Sequence, residues 1–548
     1  MHINRRLMSS RNGDRLTSRQ QQQNSDAIVI EQGVAFEHHF DSPKAYASPF
    51  VDVTFDGVFE CNGQRWVVPA FWLGGRRWAV RFTAPKIGDY SLTIQCSDSS
   101  NAILRRLPLG IRVNAYQGRN TLLKHGMLRI SADKRHFEHL DGTPFLWLAD
   151  TWWKCLAKRL PWSSFRQLTA DRKAKGFNAI QIVCGPYPDE AMMEPKWANE
   201  GGLPYFNIDF SRVNPEYFLY ADRRIKHLID SGIVPVIVGG WGRPQAGGRS
   251  TLQQVGLDGF KRHWRHLIAR YGAFPVVWIV GGEARDDYGP WGELARYVKQ
   301  IDPMQHPMCF HAPADPLDAI RDNAVFDFDM VAIGHEGLQT ADATLQLLRN
   351  CRERSPKRPV LCGEACYEGH MQTNFADIQR FVFWSLMLSG AAGHTYGAAG
   401  IWQASVKGNP GIEPIYDWTT WDEGMHYPGS TQLGKAKQLL EAYGWSRFDV
   451  HSEWTDPGLF AAGIPKEIRF IYQPKRGIYN WSSSVVHGLE PGVNYKATYI
   501  DPVTFRRFPI GETGPKGGDF RPAAVPSPQD WVLVLEAAGR KPPSKKIG

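Results

Sequence analysis

Between about residues 116 and 446 two rhythms alternate along the chain. Eight short apolar runs recur: FLWLAD (145–150), NAIQIVCG (178–185), VPVIVGGW (234–241), PVVWIVGGE (275–283), PMCFHAP (307–313), FDMVAIGHEG (328–337), RPVLCGEAC (358–366) and GAAGHTYGA (390–398). Between them lie stretches whose apolar residues share one helical face, such as Phe218, Ala221, Ile225, Leu228 and Ile229, or Phe260, Trp264, Leu267, Ile268 and Tyr271. Strands apolar on both faces and separated by helices predict a parallel sheet covered on both sides. Eight such units predict a (β/α)₈ TIM barrel. The rival, an open doubly wound sheet, usually carries a glycine-rich phosphate turn after its first strand, whereas LADTWWKC follows here.

The flanks keep a different period. VDVTFDGVFECNGQRWVVPAFW alternates and turns at Asn62-Gly63, and RRWAVRFTAP and DYSLTIQCS follow, so residues 27–115 predict a β-sandwich. After the barrel, GLFAAG, KEIRFIYQ, RGIYNWSS, VNYKATYIDP and DWVLVLEA predict an all-β domain over 447–538. Residues 1–26 and 539–548 read as disordered tails. The expected class is therefore α/β, a barrel flanked by two β domains.

Charge changes this picture little. Of the formal +9, +4 falls in the first 25 residues and +4 in the last ten, so the body is close to neutral and no basic nucleic-acid face is indicated. The eight cysteines show no CxxC pair and no regular spacing, and several fall in apolar runs, as core thiols do. No run reaches the ~18 apolar residues of a membrane span. The N-terminus lacks the apolar stretch of a secretory signal, so a cytoplasmic location is expected, with export left open if the start lies elsewhere. Oligomeric state is not legible.

In a barrel of this kind the site gathers at the C-terminal ends of the strands. Those ends supply Asp150 with Trp152 and Trp153, Tyr187, Trp241 and Arg243, Glu283, His311, His335, Glu364, and His394, Tyr396 and Trp402. Strand four ends Gly-Gly-Glu and strand seven ends Gly-Glu. Two carboxylates facing each other across a barrel mouth suit glycoside hydrolysis, one as acid and the other as nucleophile or base. The two environments must push their pKa values apart. Among the 20 tryptophans, Trp152, Trp153, Trp241 and Trp402 are candidate platforms for a sugar ring. Asp150, Tyr187, Arg243, His311, His335 and His394 are candidate hydroxyl or carboxylate partners, and Tyr396 is a candidate donor to the nucleophile. Each of these has a purely structural alternative. Glu368, four residues past Glu364, is the rival carboxylate.

WIVGGE, PVLCGEACYEG, GHTYGAAGIW and LRISADKRHFEHLDGTPFLWLADTWW resemble the apiosidase-like glycoside hydrolases, and SPFVDVTFDGVF with RWAVRFTAPKIGDYSLTI is similar to the β-sandwich that often precedes that barrel. The resemblance covers about 28–540. It implies a retaining hydrolase of plant-type or bacterial oligo- or polysaccharides, with Glu283 in the acid/base position and Glu364 in the nucleophile position. It implies no cofactor and no metal. The family commonly carries aspartate after Gly-Gly at strand four, where this chain has Glu283, one methylene longer. Two other readings stay open: a metal-dependent barrel hydrolase using His311, His335 and His394 as ligands, and a carbohydrate-binding protein without turnover.

Overall fold

The computed structural model describes residues 27–243, 248–311, 315–332, 334–409, 418–475 and 484–540. The expected tails, except Gly539 and Arg540, and the expected strand RGIYNWSS lie outside the described residues. The chain divides into two compact units. One contains the residues up to Arg119 with Arg265–Phe274 and Ile301–Met304; the other contains Asn120–Trp264, Pro275–Gln300 and the residues from Gln305 on.

In the first unit, a five-stranded sheet and a three-stranded sheet enclose one core. Phe55, Phe59, Trp78, Val80, Phe82, Leu92 and Ile111 fill it, and Phe59 stacks on Phe82 at 4.0 Å. The hairpin read from Asn62-Gly63 is present: Cys61 pairs with Gln64, and both turn residues have positive φ, 48° and 76°. That geometry matches the right-handed twist of the flanking strands.

The second unit is built on an eight-stranded parallel sheet. Its strands are β1 Trp147–Thr151, β2 Ala179–Val183, β3 Val234–Val238, β4 Val277–Gly282, β5 Met308–His311, β6 Asp329–Ala332, β7 Val360–Glu364 and β8 Gly393–Tyr396. Each pairs with its sequence neighbour from β1 to β5 and from β6 to β8, and β1 pairs with β8. The remaining seam is bridged at Asp327, whose N–H donates to Met308 O at 2.9 Å and whose carboxylate accepts from Met308 N–H at 3.0 Å. Helices follow the strands: α1 Trp162–Ala174, α2 Pro215–Asp230, α3 Leu257–Tyr271, α4 Trp291–Ile301, α5 Leu338–Glu353, α6 Ala376–Met387 and α7 Pro428–Ala442. α2 begins where Asn214 caps Glu216 N–H at 3.2 Å and Pro215 takes the first turn. Its predicted apolar face, Phe218 to Ile229, is buried.

The C-terminal region forms a six-stranded antiparallel sheet around Trp454, Ile471, Tyr495, Tyr499, Trp531, Leu533 and Leu535. α6 grips it through Arg380, whose guanidinium donates to both carboxylate oxygens of Asp530 at 2.8 and 2.7 Å, with Tyr472 donating to the same carboxylate at 3.2 Å. Among the described residues, no helix is long and apolar enough to cross a membrane.

Candidate active site

β4 is wholly buried to Gly282, and the chain then bends at Glu283, whose φ of +44° lies in the left-handed region. That conformation costs a non-glycine residue on the order of 1 kcal/mol. Three main-chain hydrogen bonds over-determine the bend: Gly282 N–H to Gly240 O at 3.0 Å, Gly242 N–H to Gly282 O at 2.6 Å, and Glu283 N–H to His311 O at 2.6 Å. The glycine before it is demanded by packing, because a Cβ on Gly282 would lie 2.1 Å from the Trp241 ring. The Gly-Gly-Glu pattern thus lets a strand bury an indole against its own backbone and still turn a carboxyl outward.

β7 delivers Glu364 as its last residue, with its side chain 16% exposed. His335 Nε2 hydrogen-bonds Oε1 at 3.1 Å. His335 Nδ1 accepts from Tyr367 N–H at 3.2 Å, so in the neutral ring the proton sits on Nε2 and points at the carboxylate. His311 Nε2 stands 3.1 Å from Oε2, without the alignment of a full hydrogen bond. Cys366, at φ +48°, turns the chain so that the Tyr367 phenol meets the same carboxylate while accepting from Trp153 Nε1 at 3.1 Å.

The two carboxyls are driven apart in acidity. Burial works to raise Glu364, but His311 and His335 outweigh it and hold the group well below the usual carboxylate range, so it is ionised. Glu283 moves the other way. Burial raises it, Arg243 at 3.6 Å pulls it down, the charge of Glu364 pushes it up, and the net direction is upward. Asp189, on the loop after β2, is also raised, mainly by burial, and its charge acts on Glu283.

Aromatic rings wall the mouth. Trp153 meets Trp241 edge-on at 5.2 Å and His311 at 5.3 Å, and Trp241 lies 5.5 Å from His311. Trp402 stands 5.8 Å from His370 and 6.3 Å from Tyr367. Lys154 lies beneath, its ammonium 5.7 Å from the Trp402 ring and 3.2 Å from Glu190; burial pulls it down to about 8.

Of the residues named from sequence, Trp153, Trp241, Arg243, Glu283, His311, His335, Glu364 and Trp402 are brought together. The others face elsewhere. Asp150 pairs with Arg172 of α1 at 2.5 Å and accepts from Trp152 Nε1 at 2.9 Å, while Trp152 packs edge-on to Phe165. Tyr396 donates to Glu368 at 2.6 Å and not to Glu364, because its side chain leaves β8 toward the helix layer, where Phe177 and Arg172 cover it. His394 lies edge-on to Phe383 of α6, so His311, His335 and His394 do not assemble as one ligand set. Tyr187 is buried beside Trp197. Glu368, the rival carboxylate, is tied to Tyr396 and to Gly429 N–H at 3.1 Å. Sequence reasoning missed Tyr367, His370, Lys154, Asp189 and Glu190. Tyr367 had one available signal: it follows Glu364 by three residues inside a quoted motif.

The model of the family described as "Apiosidase-like, catalytic domain" matches residues 131–447, and one described as "Domain of unknown function (DUF5060)" matches residues 31–97. No curated protein matches the chain. Among solved structures, a candidate glycoside hydrolase from Bacteroides vulgatus is 18% identical, with a TM-score of 0.70, over 93% of this chain and 100% of that one. A glycoside hydrolase family 5 protein from the same organism is 20% identical, with a TM-score of 0.61, over 76% of this chain and 95% of that one. At such identities these two likenesses speak to the fold.

Proposed function

The chain belongs to the Apiosidase-like family, and on that premise we propose that it hydrolyses a glycosidic bond with retention, through Glu283 and Glu364. The observation that carries this is the opposed state of the two strand-end carboxyls: one ionised between two imidazoles, the other pushed toward its protonated form. Glu283 gives its proton to the leaving oxygen as Glu364 attacks the anomeric carbon and the glycosidic C–O bond breaks. Water then attacks the glycosyl–enzyme ester, its proton passes to Glu283, and Glu364 leaves as carboxylate. Tyr367 and His335 hold Glu364 in line, while Trp153, Trp241 and Trp402 offer flat apolar faces to the sugar. The substrate class is a plant-type or bacterial oligo- or polysaccharide. The chain is read in three parts, 27–115, 116–446 and 447–538, with the chemistry confined to the middle one.

A panel of aryl pyranosides and furanosides tests the reading. The first-formed anomer, followed by NMR, is expected to keep the substrate's configuration, and release of the opposite anomer overturns the nucleophile assignment. Glu364→Ala is expected to lose on the order of 10⁴-fold or more, with partial recovery by azide, which can enter the space left by the carboxylate.

A further inference from the structure

At the barrel end opposite Glu283 and Glu364, a cavity of about 330 Å³ opens between the starts of β7 and β8, α7 and the first strands of the C-terminal sheet. Five cationic side chains line it, Lys134, Arg135, Arg352, Lys357 and Arg358, of which Arg358 is turned to the buried Asp329 at 3.6 Å, against two carboxylates, Asp133 and Asp449. One of those acids is already engaged, since Asp449 lies 3.1 Å from Arg135. Arg352 is half-buried, has Arg135 as a like-charged neighbour, and donates to the Ser389 carbonyl at 2.7 Å. Its guanidinium is laid over Gly390, where a Cβ would fall 2.5 Å from the central carbon and where φ is +89°. His136, 8% exposed, turns a buried Nδ1 that meets no hydrogen-bond partner; the nearest carboxylate, Asp133, is 3.7 Å away. Trp445, half-buried in the same wall, stands edge-on to His136 at 5.5 Å.

Surplus positive charge in a half-buried cavity is costly until an anion joins it. Guanidinium forks match carboxylate and phosphate geometry, and an indole supplies the flat face a sugar ring stacks on. We propose that this cavity is a second ligand site, separate from the catalytic mouth, for a sugar-sized molecule bearing a carboxylate or a phosphate. Arg352 and Lys357 take the anion, His136 adds a hydrogen bond, and Trp445 takes the ring.

Calorimetric titration of the full chain with glucuronate, glucose 6-phosphate, inorganic phosphate and glucose tests this without any turnover, so its failure is distinct from failure of the hydrolase reading. Glucuronate or glucose 6-phosphate is expected to bind, glucose is not, and the stronger of the two names the anion. Arg352→Gln and the exposed Lys357→Gln are each expected to weaken binding tenfold or more, while Glu364→Gln leaves it unchanged. The proposal is overturned by no binding of either acidic sugar at millimolar concentration, by wild-type affinity in Lys357→Gln, or by phosphate matching glucose 6-phosphate, which would leave Trp445 no role. Should Arg352→Gln fail to fold, Lys357→Gln carries the test.

Discussion

The backbone N–H of Glu283 donates to the carbonyl of His311 at 2.6 Å, and the imidazole of that same histidine stands 3.1 Å from the Glu364 carboxylate. One residue on β5 therefore fixes the main chain of one catalytic candidate and the charge state of the other. The two glutamates are linked through His311 as well as through their mutual repulsion.

Replacing His335 by alanine removes an aligned donor from Glu364, whose carboxyl is held low by His311 and His335 against burial. The carboxyl then rises toward its ordinary range. Since Glu364, in its proposed role as nucleophile, works only when ionised, the acid limb of the kcat/KM profile is expected to move to higher pH. The rate at pH 4 relative to pH 7 is expected to fall several-fold, with little change at pH 5. An unmoved acid limb would assign His335 a structural role only.

Arg243 is the chief influence holding Glu283 down against burial and Glu364. Arg243→Gln should raise Glu283 further, keep it protonated to higher pH, and carry the basic limb of the kcat profile upward. The arginine side chain is 61% exposed, so the shift is expected to be a fraction of a unit and to shrink in 1 M salt. A downward shift would contradict the electrostatic account.

A carboxyl raised on folding destabilises the native state once pH climbs past its unfolded pKa, because the unfolded chain sheds the proton first. Glu283 is such a group. Glu283→Gln should therefore abolish activity yet raise Tm by a degree or two at pH 8, and change it little at pH 4. Thermal melts of both proteins at the two pH values measure this, and a larger gain at pH 4 would reverse the sign.

Gly282→Ala adds a methyl group 2.1 Å from the Trp241 ring. The indole or the end of β4 must move, and a displacement near 1 Å at a reacting group costs on the order of 10²-fold. Activity should drop by at least that much in a protein whose circular dichroism stays native.

Asp530→Asn breaks the buried fork between α6 and the C-terminal sheet, leaving Arg380 without its counter-charge. Loss of one partner of such a pair costs about 3–5 kcal/mol. Denaturant titration should find that loss, with kcat little changed; a cost below about 1 kcal/mol would mean that neighbouring groups or solvent take up the arginine's charge.

The barrel was legible because most of its strands are runs apolar on both faces, a pattern that suits a sheet covered on both sides. The strand-end placement of Glu283 and Glu364 was legible because glycine immediately before an acid marks both a close approach and a turn. Side-chain direction was not legible. Asp150 and Tyr396 pair across β1 and β8, and both leave toward α1 and Arg172; only the register between the two strands reveals that. Lys154 and Glu190 come from different strand loops and look like ordinary surface charges until folding buries them together. Tyr367 reaches Glu364 through the left-handed Cys366, a backbone choice that a cysteine in sequence does not announce.

The bend at Glu283 sets the carboxyl's bearing in the main chain, before any rotamer is chosen. A shorter acid grafted onto the same elbow would leave on the same heading and stop one bond early, and no torsion of its own could recover the missing length. If Glu283 is the acid proposed above, a sugar in this mouth must present its leaving oxygen at the distance the elbow dictates, which makes the corner itself a ruler for the substrate.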